Sequence, residues 1–459
     1  MRLLSVLMVV LLAAPAAAQT VPAIPDPYFP APAEVAVEAA KLDGRPFELD
    51  AEATLAALTA FSGAVSGQRI YDCITGITTD FTTSYRLMGT PSAQLFVQKY
   101  AGVFKDLGLP SALQTFADGG PGVPGVGGGP VATGGTNIVG ALAGKDTHKW
   151  VVVGGHYDTQ LLTQGGGAFD NTSGICTVLE LARQMKAYVD SGGVLQASVL
   201  FVWYDGEEWG LYGSVAFAQD QAVARALLGL SATDKVDVLT SQSYDMVGLN
   251  WPAGNNWVGF GDPAATQKTA VLNLRTAPIH NGTEWACWSY GCYEELKVRP
   301  DFDALLANFT NYQFLVREVA YDLLKCPPEF CWVYDDSYGR SDHIPIIATG
   351  VPGNRVQGSH DFEYPHYHYP SDTLPAMVEL AGSQAALVQG FDAESRIGGT
   401  VAFYTALTGG VGHYGYKEDP NLFPVALGKG DTGTSKGTPL GEVALLGLAL
   451  AGFAIRRKR

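Results

Sequence analysis

Residues 197–214 read ASVLFVWYDGEEWGLYGS, and the point where the apolar run stops decides how this chain is read. ASVLFVWY carries no charge and fits a strand buried on both faces. It ends in Asp205-Gly206 and two adjacent acids, Glu207 and Glu208. Neighbouring side chains at a strand end point different ways, so the two acids are placed for different tasks. The ordinary alternative is that both sit in the first turn of a following helix and favour its dipole. The surrounding chain has to choose between these readings.

Upstream, SAQLFVQKYAGVFKDLGL has helical apolar spacing within a segment running from Ser66 to about Leu109, with Asp106-Leu107-Gly108 as a stop. Residues 118–136 form a Gly/Pro loop. Beyond it, strands and helices alternate: NIVGALAG, KWVVVGG, a helix from about Ser173 to Asp190, ASVLFVWY, a helix from about Trp209, then KVDVLTSQSYDMVG. This order predicts an α/β fold with a mixed, mostly parallel central sheet and helices on both faces. In such sheets the active site lies beyond the carboxyl ends of the strands.

Polar residues stand at those ends. KWVVVGG runs into His156-Tyr157-Asp158, GGGAFDNTSG places Asp170 and Asn171 before a helix, DGEEWG gives Glu207 and Glu208, and QSYDMVG gives Asp245. A later loop, EYPHYHYPSDT, adds His366, His368 and Asp372. Imidazoles and carboxylates without cysteine suit a borderline cation such as zinc, and a shared carboxylate can hold a second ion. Taken singly, His156 reads as a core histidine, Asp170 as a helix N-cap and Asp245 as a turn residue. Their joint occurrence after apolar strands is what favours a site.

The series HYD, GAFDNTSG, DGEEWGLYGS, YDMVG, SDH and YHYPSD resembles the zinc exopeptidases that include secreted bacterial leucyl aminopeptidases. Relatives of that family are glutamate carboxypeptidases, glutaminyl cyclases and transferrin-receptor-like proteins. The resemblance runs from about Ser84, in SYRLMGTPSAQ, to about Asp372, and skips an expanded region between roughly Trp251 and Asp336. It implies a phosphorylase/hydrolase-like fold and two Zn2+ per chain. His156, Asp170 and Glu208 would surround one ion, and Asp170, Asp245 and His368 the other, with Asp170 bridging. Asp158 would orient the ligand histidine, and Asn171 would follow a cis non-proline peptide bond. Asp342 and His343 match a supporting Ser-Asp-His segment. His366 is the rival of His368, and the family spacing of Tyr-His with Asp four residues later selects His368, with Asp372 as its orienting carboxylate.

Under these assignments Glu207 stays off the metals and serves as general base, with Asp158 as the second catalytic residue. The activity implied is peptide hydrolysis, foremost as an aminopeptidase, since an acidic site suits a substrate ammonium group. A carboxypeptidase needs a cation for the free carboxylate, and Arg340, Arg355 and Lys297 are available. A glutaminyl cyclase is disfavoured because all five ligand positions are filled, and a non-catalytic receptor or scaffold because neither a ligand nor the base is missing. No Gly-x-Ser-x-Gly follows an apolar strand as a nucleophile elbow does, the GTSKG at 433–437 lying in the Gly/Thr-rich linker, and no His-Glu-x-x-His motif occurs.

The 459 residues, 47% hydrophobic and 16% charged, provide for a large core, and a net charge of −16 argues against a nucleic-acid partner. MRLLSVLMVVLLAAPAAAQT reads as a signal peptide cut after Ala18, so a secreted or cell-surface protein is expected. Residues 19–65 are an N-terminal extension or prosegment. Residues 66–425 form the catalytic domain, with a Cys-containing insertion at 251–336. A linker follows at 426–439, then an apolar, basic-ended tail at 440–459. That tail resembles the sorting tails of exported prokaryotic proteins and offers membrane or cell-surface attachment. Within the insertion, Cys287, Cys292, Cys326 and Cys331 suggest two disulfides, the most local pairing being Cys287–Cys292 and Cys326–Cys331. Cys73 and Cys176 read as free thiols.

Overall fold

Strand residues that alternate between two apolar faces organise the computed structural model of this chain. It describes residues 51–117 and 134–249 apart from 83, 161, 162, 164 and 165; short stretches between 272 and 335; and residues 341–412 apart from 348 and 359–363. The leader, linker and tail expected from the sequence lie outside the described residues, as does most of the insertion. No helix among the described residues is long and apolar enough to cross a membrane.

The strands are β1 (Ser111–Phe116), β2 (Gly135–Leu142), β3 (Asp146–His156), β4 (Ala197–Tyr204), β5 (Asp237–Tyr244), β6 (Leu272–Ala277), β7 (Cys331–Asp335) and β8 (Gly353–Gln357). They form one eight-stranded sheet in the order β1-β2-β4-β3-β5-β8-β6-β7. The four central strands, β4, β3, β5 and β8, are mutually parallel. Antiparallel pairs join β1 to β2, β2 to β4 and β8 to β6, so the sheet is mixed. Only three residues separate β2 from β3, yet β4 lies between them in the sheet.

The period of two separates the faces. Val151, Val153, Val199, Phe201 and Trp203 join one core cluster, while Val152, Leu200, Val202 and Tyr204 join another. The first face is covered by α2 (Gly67–Asp80), α3 (Pro91–Tyr100), α4 (Ser173–Asp190) and the long α8 (Gln384–Thr408); α5 (Tyr212–Gln219) and α6 (Ala222–Leu227) cover the second. The helical segment read from Ser66 to Leu109 is interrupted. α2 ends at Asp80, and α3 starts afresh with Thr90 accepting from the Ala93 N–H and Pro91 in its first turn.

A helix preceding the expected domain start, α1 (Ala51–Ala64), belongs to the same core. Leu58, Phe61 and Val65 are buried, and the Phe61 ring stacks on Phe403 of α8 at 4.3 Å. At the α1–α2 junction the buried Glu180 accepts from the Ser66 N–H and pairs with Arg69 at 2.6 Å.

Cys73 and Cys176 are not free thiols. They form a disulfide between α2 and α4, with Cα atoms 5.8 Å apart. The two are 103 positions apart, and only the packing of α2 against α4 brings them within bonding reach. Cys287, Cys292 and Cys326, and the side chain of Cys331, lie outside the described residues.

Candidate metal centre

The parallel core delivers four of the acidic and imidazole groups to one edge. His156 is the last residue of β3, Asp245 follows β5, and Glu207 and Glu208 lie just past β4. Asp170 sits at a kink in the segment Ala168–Thr172 that leads into α4, with non-helical backbone at Asp170 and Asn171. His368 arrives from the turn before α7 (Leu374–Ala381) with left-handed backbone, φ 61°.

Asp170 lies at the middle of the group. Its Oδ1 is 3.4 Å from His156 Nε2, and its Oδ2 is 3.2 Å from His368 Nε2. On the first side His156 Nε2 also faces Asp245 Oδ1 at 3.4 Å, with Glu207 Oε2 farther off at 4.0 Å. On the second, His368 Nε2 is 3.1 Å from Glu208 Oε2. Donor atoms of His156, Glu207 and Asp245 lie within 4.8 Å of one another, as do those of Asp170, Glu208 and His368.

This grouping differs from the partition the sequence resemblance suggested. Asp245 accompanies His156, and Glu208 accompanies His368. The reason is sheet order: β3 and β5 are parallel neighbours, so residues at and just after their ends stand side by side. Glu208, four residues past the end of β4, turns instead toward the 364–372 turn.

Buried polar groups fix these side chains. Asp158 accepts from the backbone N–H of Glu207 (3.1 Å, at Oδ1) and of Glu208 (3.2 Å, at Oδ2). The same Oδ1 is 3.3 Å from His156 Nδ1. One carboxylate thus holds the back of an imidazole and the acid pair together. Asn171 donates to the Tyr244 carbonyl and accepts from the Gly174 and Met246 N–H groups, tying the start of α4 to the loop bearing Asp245. The Asp170–Asn171 peptide bond is cis. Gly174 allows this approach, since a Cβ there would lie 2.0 Å from the Tyr244 carbonyl oxygen.

Asp372 does not orient His368. Its carboxylate accepts from the N–H groups of Phe169 and Asp170, both at 3.0 Å, and from the Tyr364 hydroxyl at 2.9 Å. It therefore supports the backbone of Asp170. His366 is separate from the group, with Nδ1 2.8 Å from the Ser371 hydroxyl. Asp342 and His343 are buried, and Asp342 is close enough to Asp158 and Asp245 for burial and their charges to push its pKa up to about 7.

Three contributors carried no decisive sequence signal. Gln160 donates from Nε2 to the Glu208 backbone oxygen (3.1 Å) and to Oε2 (3.0 Å). Arg86, within SYRLMGT, is fully buried and donates to the carbonyls of Tyr157 and Gly166 and to the Thr172 hydroxyl, bracing both loops of the centre. Arg355, considered from sequence as a clamp for a substrate carboxylate, is buried instead against Asp245, with Nη2 3.0 Å from Oδ2.

The electrostatics call for positive charge. Burial opposes the imidazolium of His156, but Glu207, Asp158, Asp170 and Asp245 outweigh it and hold its pKa well above the ordinary value. At His368 burial is likewise outweighed, by Asp170 and Glu208, and the pKa rises to about 11. Burial and Asp170 raise Glu208 to about 7, while burial, Glu208, Asp245 and Asp342 push Glu207 well up. Glu208 Oε1 has no hydrogen-bond partner among the described residues. A carboxylate excess, two convergent Nε2 atoms and an orphaned buried oxygen together fit divalent ions of the zinc type.

Residues 137–260 match Peptidase family M28. Leucine aminopeptidase 1 of Phaeosphaeria nodorum is 37% identical over 99 residues, 20% of this chain and 24% of that protein. "Probable glutamate carboxypeptidase VP8" of Zea mays is 27% identical over 154 residues, 31% of this chain and 21% of that one. The chain thus covers no more than about a quarter of the length of either relative. The fold is that of Legionella pneumophila LapB, with a TM-score of 0.51 at 18% identity, covering 81% of each chain. LapA from the same organism gives 0.50 at 16% identity, covering 79% of this chain and 78% of that one.

Proposed function

We propose that the protein is an exported peptidase holding two zinc ions, and that it releases N-terminal residues from peptides. The observation that carries this is Asp170, whose two oxygens each face the Nε2 of a different histidine, at 3.4 and 3.2 Å. A carboxylate so placed is the usual bridge of a two-metal hydrolytic site. His156 and Asp245 would hold one ion with it, and Glu208 and His368 the other. When bound, the ions supply Lewis acidity at the scissile carbonyl.

The chain's own groups supply the rest. Glu207, beside the His156 pair yet farther from its Nε2 than Asp170 or Asp245, takes a proton at its carboxylate from the attacking water. It then delivers that proton to the leaving amine. Asp158 keeps Glu207 and His156 in register through the Glu207 N–H and the imidazole Nδ1. The acidic surroundings favour a substrate's free ammonium group over a free carboxylate. Arg355 is engaged by Asp245, which weakens the carboxypeptidase reading. The disulfide supports an oxidising, extracytoplasmic setting.

Elemental analysis together with hydrolysis of an aminoacyl chromogenic substrate and its N-acetylated form tests the proposal. The expected result is about two zinc ions per chain and cleavage only of the free-amine substrate. Less than one zinc per chain without hydrolysis would overturn it, and cleavage of the blocked form would overturn the aminopeptidase assignment.

A further inference from the structure

Arg355 is a cation buried beside an already crowded group of acids. It stands on β8, which runs parallel to β5 with Arg355 opposite Ser243 and Val356 opposite Tyr244. The Asp245 N–H donates to the Val356 carbonyl at 3.0 Å, so the backbone holds the two side chains against each other. Only 2% of Arg355 is exposed, and its Nη2 meets Asp245 Oδ2 at 3.0 Å. A planar guanidinium is well suited to a buried ion pair of this kind.

The three carboxylates assigned to the ions are restrained in different ways. Asp170 offers both oxygens to imidazoles. Glu208 is anchored at Oε2 by Gln160 and leaves Oε1 without a partner among the described residues. Asp245 has Oδ2 taken by Arg355, and Oδ1 is the oxygen turned to His156 Nε2. An unrestrained aspartate beside a divalent ion could swing to offer either oxygen or both.

We infer that Arg355 is a positioning residue: it occupies Oδ2 of Asp245 so that this aspartate presents Oδ1 alone to the ion on the His156 side. This rests on the two-ion reading above. Groups that orient metal ligands in this way typically govern affinity by 10–100-fold. The effect should be confined to one of the two ions, because the carboxylate Arg355 holds, that of Asp245, faces His156, whereas Glu208 faces His368.

The test uses the full-length protein, stripped and reloaded with Zn2+ against a competing chelator, and separately with Co2+ followed by its visible spectrum. In Arg355→Met, one equivalent of Zn2+ should be released at about 10–100-fold weaker chelation, the other should be held as in wild type, and the Co2+ spectrum should change for one equivalent only. Arg355→Lys, which keeps a charged donor, should restore most of the affinity and supplies the comparison if the methionine variant folds poorly. Unchanged affinities and spectrum in both variants would overturn the inference. So would equal weakening of both ions together with a lowered melting temperature of the metal-free protein, which marks a purely structural role. Failure of the wild type to bind zinc would instead sink the two-ion reading itself.

Discussion

At the scale of single residues, the informative contrast is between Glu207 and Glu208. Adjacent in sequence, they have N–H groups held by the two oxygens of one carboxylate, Asp158, while their side chains attend to different histidines. Glu207→Gln should retain its zinc and lose about 10²–10⁴-fold in kcat; a matching loss of metal would reverse the two roles. Asp205, at the strand end just before them, is buried, and burial with the Asp158 charge raises its pKa from 3.8 to about 8. The folded protein therefore keeps a proton that the unfolded chain gives up near pH 4. Stability should fall as pH rises from about 4 to about 8 and level off above. Asparagine can still accept the Thr136 N–H, which Asp205 does at 3.0 Å. Asp205→Asn in metal-free protein should match wild type at pH 4 and melt higher at pH 8, by about 2–4 °C for each kcal/mol relieved. Parallel melting curves for the two proteins across that range would show that Asp205 is ionised in the fold.

At the scale of elements, α1 raises the question of where the domain starts. By sequence, residues 19–65 are an extension or prosegment, but α1 places Leu58 and Phe61 in the core, against α8 in the case of Phe61. Gly67, which opens α2, permits close packing there, since a Cβ would lie 2.2 Å from the Val388 carbonyl oxygen. Phe61→Ala should cost about 3–5 kcal/mol in urea unfolding. An unchanged midpoint would mark α1 as a removable appendage. The long amphipathic segment upstream of the Gly/Pro loop was legible in composition but not in its interruption, because the cap at Thr90 is a local bond that apolar spacing does not report.

For the whole molecule, the Cys73–Cys176 bond joins the N-terminal helices to the helix that begins just after Asp170. Closing a loop of this span restricts the unfolded chain by about 4–5 kcal/mol in the chain-entropy account. The double variant Cys73→Ser, Cys176→Ser should therefore unfold at distinctly lower denaturant while its folded form still binds zinc. Equal midpoints with and without the bond would remove the cross-link from any role in stability.

The sequence by itself determined the α/β class and the residue types at the strand ends, because apolar runs and the breaks that end them are local properties of the chain. His156, Asp170, Glu207, Glu208 and Asp245 could each be picked out in this way, and His368 through a family spacing. Tertiary structure alone decided which of them meet. Asp245 stands beside His156 because β5 is the sheet neighbour of β3, an adjacency that linear order does not encode. Asp372 serves the Asp170 backbone, Arg355 restrains Asp245, and Cys73 finds Cys176, because each pairing depends on two segments distant in sequence packing at one place.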